Sequence, residues 1–179
     1  IILSREQLEN AQKLVSSGFD VHILDIALGA EYPADVPLNA AVFGNYAILN
    51  PKTVCPNINF FGRTLIPVRQ GYAKCSAAPV TENAIITDDV AIASAAEKNG
   101  LEVLLVSKGD VLLPGREYGF IGGCCGLIAP DIMLFNGALS SHGDADRIRA
   151  FLSSFGVSAE ETGHFPLTDI GGILPLAEK

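Results

Sequence analysis

The chain carries few charges and no cluster of positive ones. Only 18% of its 179 residues are charged, and 12 Lys and Arg stand against 20 Asp and Glu, for a net charge of -8. A surface that follows phosphates needs a basic stripe, so no nucleic-acid partner is expected. No apolar run reaches the roughly 18 residues that cross a bilayer, so no membrane partner is expected either. The opening "IILSREQLEN" turns polar after three residues, unlike a secretory signal. General disorder is excluded, because 49% of the residues are hydrophobic. Cys-x-x-Cys and His-x-His pairs are also missing, so the sequence suggests no metal and no cofactor. The four cysteines, Cys55, Cys75, Cys124 and Cys125, then read as reduced thiols of a cytoplasmic protein. The first residue is not methionine, and further residues are expected upstream.

What is present is a repeat. Three helices are marked by their ends. "SREQLENAQKLVSSG" begins with Ser4 as N-cap and Gln7 three residues on, a capping-box pattern, and stops at Gly18. "TDDVAIASAAEKNG" is introduced by Thr87 and Asp88 and stops at Gly100. "SHGDADRIRAFLSSFG" is introduced by Asp144 and stops at Gly156. Each is followed by a predicted strand, in "FDVHILD", "LEVLLVS" and "VSAEETG", and apolar runs "AIIT" and "IMLFNG" precede the second and third helices. A degraded copy lies between the first two, where "YAILN" leads through "PKTVCPNINFFG" to "TLIPVRQ". Pro51 and Pro56 favour a turn or short helix there. The stopping glycines 18, 62, 100 and 156 therefore mark a repeated unit with insertions.

A small-residue segment precedes the apolar runs: "NAAV" from Asn39, "KCSA" from Lys74, "GCCG" from Gly123, and "DIGG" from Asp169 near the end. Each is predicted to be an inner strand whose small side chains allow close approach to neighbours or to a ligand. A doubly wound dinucleotide fold would have its glycine-rich loop open a helix. "GGCCG" instead leads into the proline and apolar run of "LIAPDIMLFNG", so the order is strand, turn, strand, helix.

That unit resembles the pentein, or guanidine-modifying-enzyme (GME), fold: an α/β propeller of strand-strand-helix-strand units around a pseudo-fivefold axis. "SKGDVLLPGREYGFIGG" is similar to the "GGDVL…G…F-V-G" segment of dimethylarginine and arginine hydrolases of that fold. "VRQGYAKCSAAPVTENAIITDD" together with "GDVLLPGREYGFIGGCCGL" resembles a bacterial family of unknown function assigned to it. The resemblance implies one pentein-like domain over residues 1–179, with about four units and incomplete at the N-terminus. A homo-oligomer, or a separate chain, would then supply the missing blade. The hydrolases of this fold use an acid that binds the guanidinium, a histidine base and a cysteine nucleophile. Asp110 matches the acid. The histidine is expected at the start of the strand with "FIGGCCGL" and the cysteine in "LTDIGGILPL", and neither is there.

The resemblance therefore implies a protein without amidine-hydrolase chemistry, binding a small molecule or a protein partner at its central funnel. The candidate ligand-binding residues are Asn39, Lys74, Cys75, Asp110, Cys124, Cys125 and Asp169. The alternative is a cysteine-dependent enzyme acting on a guanidino or amidine compound, with Asp110 as anchor and a relocated nucleophile at Cys75 or Cys125. His164 would be its displaced base. Lys74 beside Cys75 favours a thiolate. On regular strands, however, alternation sends Lys74 and Cys75, and likewise Cys124 and Cys125, to opposite faces. Asp110 in "SKGD" and Asp169 in "LTDIGG" also fit turns. His142, Asp144 and Asp146 invite a metal, yet an N-cap at Asp144 and the helix dipole account for both acids. His22 reads as a packed or edge residue, and Arg116 and Glu117 as decoration of a hairpin loop.

Overall fold

Glycine punctuation and apolar runs together produce one unit, written twice in full and once without its helix. The computed structural model of the chain describes residues 1–175. β1 (Ile2–Ser4), α1 (Leu8–Ser16) and β2 (His22–Leu24) come first, and the two strands pair in parallel. β3 (Ala40–Phe43), β4 (Tyr46–Leu49) and β5 (Thr64–Pro67) form the first three-stranded sheet, β3 antiparallel and β5 parallel to the middle strand β4. A single helical turn, α2 (Ala73–Ser76), leads into β6 (Ala77–Thr81), β7 (Ala84–Thr87), α3 (Val90–Lys98) and β8 (Glu102–Leu105), paired in the same way. β9 (Cys125–Ala129), β10 (Ile132–Phe135), α4 (Ala145–Ser154) and β11 (Ser158–Glu161) repeat it. The opening β1–β2 pair lacks the antiparallel strand that the other sheets have, among the described residues.

Local chemistry explains the elements. Ser4 N–H donates to Gln7 Oε1 at 3.1 Å, which is the reciprocal half of the expected capping box. All four stopping glycines take positive φ: Gly18 at 88°, Gly62 at 76°, Gly100 at 81° and Gly156 at 71°. That region carries almost no penalty for glycine alone. The "PKTVCPNINFFG" stretch runs through turns without a helix. The N-cap of α3 is Asp89, whose carboxylate accepts from Ala91 and Ile92 N–H, and not the expected pair Thr87 and Asp88. Those two are buried instead.

Middle strands join the units into one body. Along β7 adjacent side chains face opposite ways, as a pleated strand demands. Ile85 joins a core with Ile48, Ile66, Ile92, Ala96 and Leu101. Ile86 joins the next core with Val80, Met133, Phe135, Ile148 and Leu152. A strand buried on both faces reads as a continuous apolar run, which "AIIT" does. Ile148 and Leu152, one helical turn apart, present the inner face of α4.

The inner segments depart from expectation. "NAAV" is strand from Ala40, but Lys74, Cys75 and Ser76 lie in α2, and strand begins only at Ala77. Residues Ile121–Gly123 form a 3-10 turn, and strand begins at Cys125. Gly171 and Gly172 both have positive φ, so "DIGG" turns rather than extends. Three of the four predicted inner strands are thus preceded or replaced by tight turns, because small residues serve close turns as readily as close strands.

Phe135 is fully buried between these layers. Its replacement by alanine is expected to cost about 3–5 kcal/mol of unfolding free energy, measured by urea denaturation.

Candidate functional site

β3, β6 and β9 lie side by side, and α2 packs on both β3 and the 121–123 turn. The residues just before each inner strand therefore converge, and the chain's last described segment joins them there. Asn39 bridges the first two units. Its Oδ1 accepts from Lys74 N–H at 2.7 Å, and its Nδ2 donates to Cys75 Sγ at 3.4 Å. The Lys74 ammonium reaches across to the third unit and donates to Gly122 O at 3.2 Å and Gly171 O at 2.7 Å. Asp169 accepts from Phe120 N–H at 2.9 Å and from Gly171 N–H at 2.8 Å. Asp88 accepts from Ile121 N–H at 3.3 Å.

Alternation predicts that Cys124 and Cys125 face apart; the structure corrects this. Both thiols donate to Ile121 O, at 3.2 and 3.1 Å. Cys124 sits at the end of the 3-10 turn with φ -103° and ψ 3°, outside strand geometry. The same correction applies to Lys74 and Cys75, which share a helical turn. The structure thus brings together Asn39, Lys74, Cys75, Cys124, Cys125 and Asp169.

Asp110 and His164 are not part of that group. Asp110 accepts from Gly143 N–H at 2.9 Å and Ser107 Oγ at 3.4 Å, tying two loops together as a turn acid does. Asp144 occupies the N-cap position of α4, but its carboxylate accepts from Ser107 N–H and Oγ and pairs with Arg147. Those bonds, Ser107 N–H first, hold it down at about 2. His142 is buried, and burial lowers its pKa despite Asp110 and Asp144 nearby. Its Nδ1 accepts from Asp144 N–H at 3.0 Å, so the ring is a neutral structural acceptor. His164 is exposed and makes no hydrogen bond to a described side chain or backbone group. His22, on the edge of its sheet, pairs with Asp20 at 3.0 Å. Among the described residues no group of three or more His, Cys, Asp or Glu side chains is placed to hold a metal.

The electrostatics of the centre disfavour thiolates. Burial pushes the Cys75 thiol up, only partly opposed by the Asn39 hydrogen bond and the Lys74 charge, while Asp169 and Asp88 add to the rise. Cys124 is pushed up strongly by its contact with the Cys125 thiol and by burial. Burial likewise pushes the Asp88 carboxyl up, to about 6. Sequence reasoning placed Asp88 at a helix start and missed its role here. The available signal was the doubled acid in "TDD", since one cap needs only one carboxylate. Tyr72 was also missed: its hydroxyl donates to Asp35 at 2.6 Å, which raises it to about 12, and its ring stacks on Phe120 at 5.6 Å. Thirty-seven residues separate that pair, and no local pattern announces it. Two surface depressions, one beside Arg149 and Val157, the other beside Ile2, His22 and Phe61, lie away from this centre. No helix is long and apolar enough to cross a membrane among the described residues.

The chain belongs to the Family of unknown function (DUF6873), whose sequence profile matches residues 1–174. No curated protein matches it. Among solved structures, the C. jejuni agmatine deiminase is similar over 90% of this chain and 59% of that one, with a TM-score of 0.48 and 12% identity. The chain thus spans less than two thirds of that enzyme's length.

The centre depends on a glycine that admits no side chain. A Cβ on Gly122 would stand 2.5 Å from Ala77 O and 2.7 Å from Lys74 O, both backbone atoms. Gly122→Ala is expected to destabilise the fold by about 1–3 kcal/mol, read as a lower urea midpoint with an unchanged m-value.

Proposed function

We propose that this chain is a pentein-type protein that binds a small molecule or a protein partner where its units meet, and that it does not hydrolyse amidines. One observation carries the proposal: the two buried thiols are committed to a backbone carbonyl while the Lys74 ammonium is fixed beside them. A cysteine that attacks an amidine carbon must be a thiolate, and a base or a strong cationic field must make it one. Cys124 and Cys125 are buried and spend their S–H groups on Ile121 O. The Lys74 charge is committed to two backbone carbonyls. No histidine belongs to the constellation. What the centre offers a ligand is hydrogen bonding, from the Lys74 ammonium and the Asn39 carboxamide, beside a half-buried thiol.

A second reading has one observation in its favour. Cys75 is the one cysteine of the four with partial exposure, so it can meet a small electrophile or substrate. The relocated-nucleophile enzyme would use it; Cys125 is sealed, and the loop bonds of Asp110 give the guanidinium anchor no special support.

Thiol alkylation separates the two. With iodoacetamide and a chloroacetamidine probe, the folded protein is expected to label at Cys75 alone, slowly, with a rate that rises only above the ordinary thiol range of about 8.5. Selective labelling of Cys75 by the amidine probe, with a midpoint well below about 8.5, would favour the enzyme instead.

A further inference from the structure

The segment after Asp169 lies on the fold as a bound peptide would. β9 is an edge strand, with β10 on one side only. Asn136 N–H, just past β10, donates to Cys124 O. Carbonyls alternate along a strand, so Cys125 O points to the free edge. There Ile173 N–H donates to it at 3.3 Å, and Ile170 N–H donates to Gly123 O at 3.0 Å. From the other side the Lys74 ammonium clasps Gly171 O at 2.7 Å. Main-chain bonds of this kind are how a sheet edge takes up a peptide.

Two glycines shape the fit, one on each partner. A Cβ on Gly126, inside β9, would have three atoms of Ile173 as its nearest neighbours. Glycine inside a strand marks such a close approach. A Cβ on Gly172 would fall on Lys74 Nζ. Gly171 and Gly172 take φ of 88° and 116°, a bend that glycine adopts without strain. Side chains add little to the hold, since Ile170 is 59% and Leu174 75% exposed. A segment with little buried apolar surface and few backbone bonds opens at low cost.

We propose that the free edge of β9 and the Lys74 ammonium form a peptide-binding site, which residues 170–175 fill from within the chain and yield to a glycine-bearing segment of a partner protein. The proposal rests on the reading that a protein partner meets the centre, and it names the partner's chemistry. The incoming segment brings one N–H to Gly123 O, another to Cys125 O, a carbonyl to Lys74, and glycine where Gly172 stands. Exchange swaps one carbonyl for another at the ammonium, which keeps Gly122 O throughout.

Amide NMR and hydrogen exchange on the whole chain test this, with the acetylated and amidated peptide IGGILP as probe. In G172A the added methyl group meets Lys74 and the backbone is strained, so the clasp opens whichever side moves. The Ile170 and Ile173 amides are then expected to exchange about tenfold faster than in the wild type, the worth of one hydrogen bond to a charged group. K74M should speed the same two amides, and it serves if G172A does not fold. The peptide is expected to shift the Gly123, Cys125 and Gly126 signals of G172A saturably. At the same concentration the wild type should not respond, because its tethered segment competes at an effective concentration of about millimolar. In the double variant G126A/G172A the edge is blocked and no shift is expected. Absence of a saturable shift in G172A overturns the proposal, and so does an equal shift in the double variant. Wild-type Ile170 and Ile173 amides as protected as those of β7 overturn it too, since the segment would not yield. Concentration-dependent dimers of the wild type would mean that the segment is exchanged between copies, which overturns filling from within the chain. Cys75 labelling is read separately, so failure here is distinct from failure of the binding reading.

Discussion

The turn from Phe120 to Gly123 holds the centre together, and it does so with its backbone. Several of its polar groups are claimed by distant parts of the chain. Phe120 N–H goes to Asp169 and Ile121 N–H to Asp88. Ile121 O receives both thiols, Gly122 O receives the Lys74 ammonium, and Gly123 O accepts from Ile170 N–H at 3.0 Å. Backbone groups taken out of water must find partners, and here the partners come from the second unit, the third unit and the final segment. Three parts of the chain are therefore fixed relative to one another by a four-residue turn. Residues 122 and 123 have to be glycine for the approach: the space a Cβ would need is taken by Ala77 O at one and by the Asp169 carboxylate at the other.

Around that turn the apolar layers supply cohesion without entering it. The large buried side chains, Phe135, Met133, Ile148 and Leu152, lie in the core between the second and third units. Ile48, Ile66 and Ile92 lie in the core between the first three-stranded sheet and the next. Each fully buried aliphatic or aromatic side chain contributes about 1.5–3 kcal/mol before entropy is counted. Helices and middle strands thus stabilise the body from outside, while the centre is left to small residues and polar groups. The division explains why the inner segments are poor in bulk and the middle strands rich in it.

The outer part of this design was legible in the sequence and the inner part was not. Four glycines placed the ends of the repeats correctly, and "YAIL", "AIIT" and "IMLF" were read as strands because burial on both faces forces continuous apolar runs. Two prolines marked the unit that lost its helix. The small segments gave no such signal. "KCSA" and "GCCG" have the same composition whether they extend or turn, so alternation was applied to Cys124 and Cys125 where no strand exists, and it failed. The convergence of Asn39, Lys74, Cys75 and Asp169 was nonetheless anticipated, since their segments occupy equivalent places in the repeat. Asp110 was drawn in by resemblance and His164 by its nearness to "DIGG"; Asp110 ties two loops together, and His164 is exposed. Asp88 was hidden by its neighbour: "TDD" reads as one cap, and only burial shows that the first acid faces inward while the second caps the helix.

The centre's chemistry follows from the work its charges already do. A catalytic acid, base or nucleophile needs an ionisation matched to its task and an atom free to meet the substrate. Asp169 is engaged through both carboxylate oxygens, Lys74 through two carbonyls, and the buried thiols through one. Their charges stabilise the turn, so moving any of them towards a substrate would unfasten the segments that define the site. The proposed binding role has no such conflict, because a ligand can add hydrogen bonds to Lys74 or Asn39 without removing those already made. Under this constraint the same lysine that would activate a cysteine in an open pocket acts as a brace, with the thiol beside it left protonated.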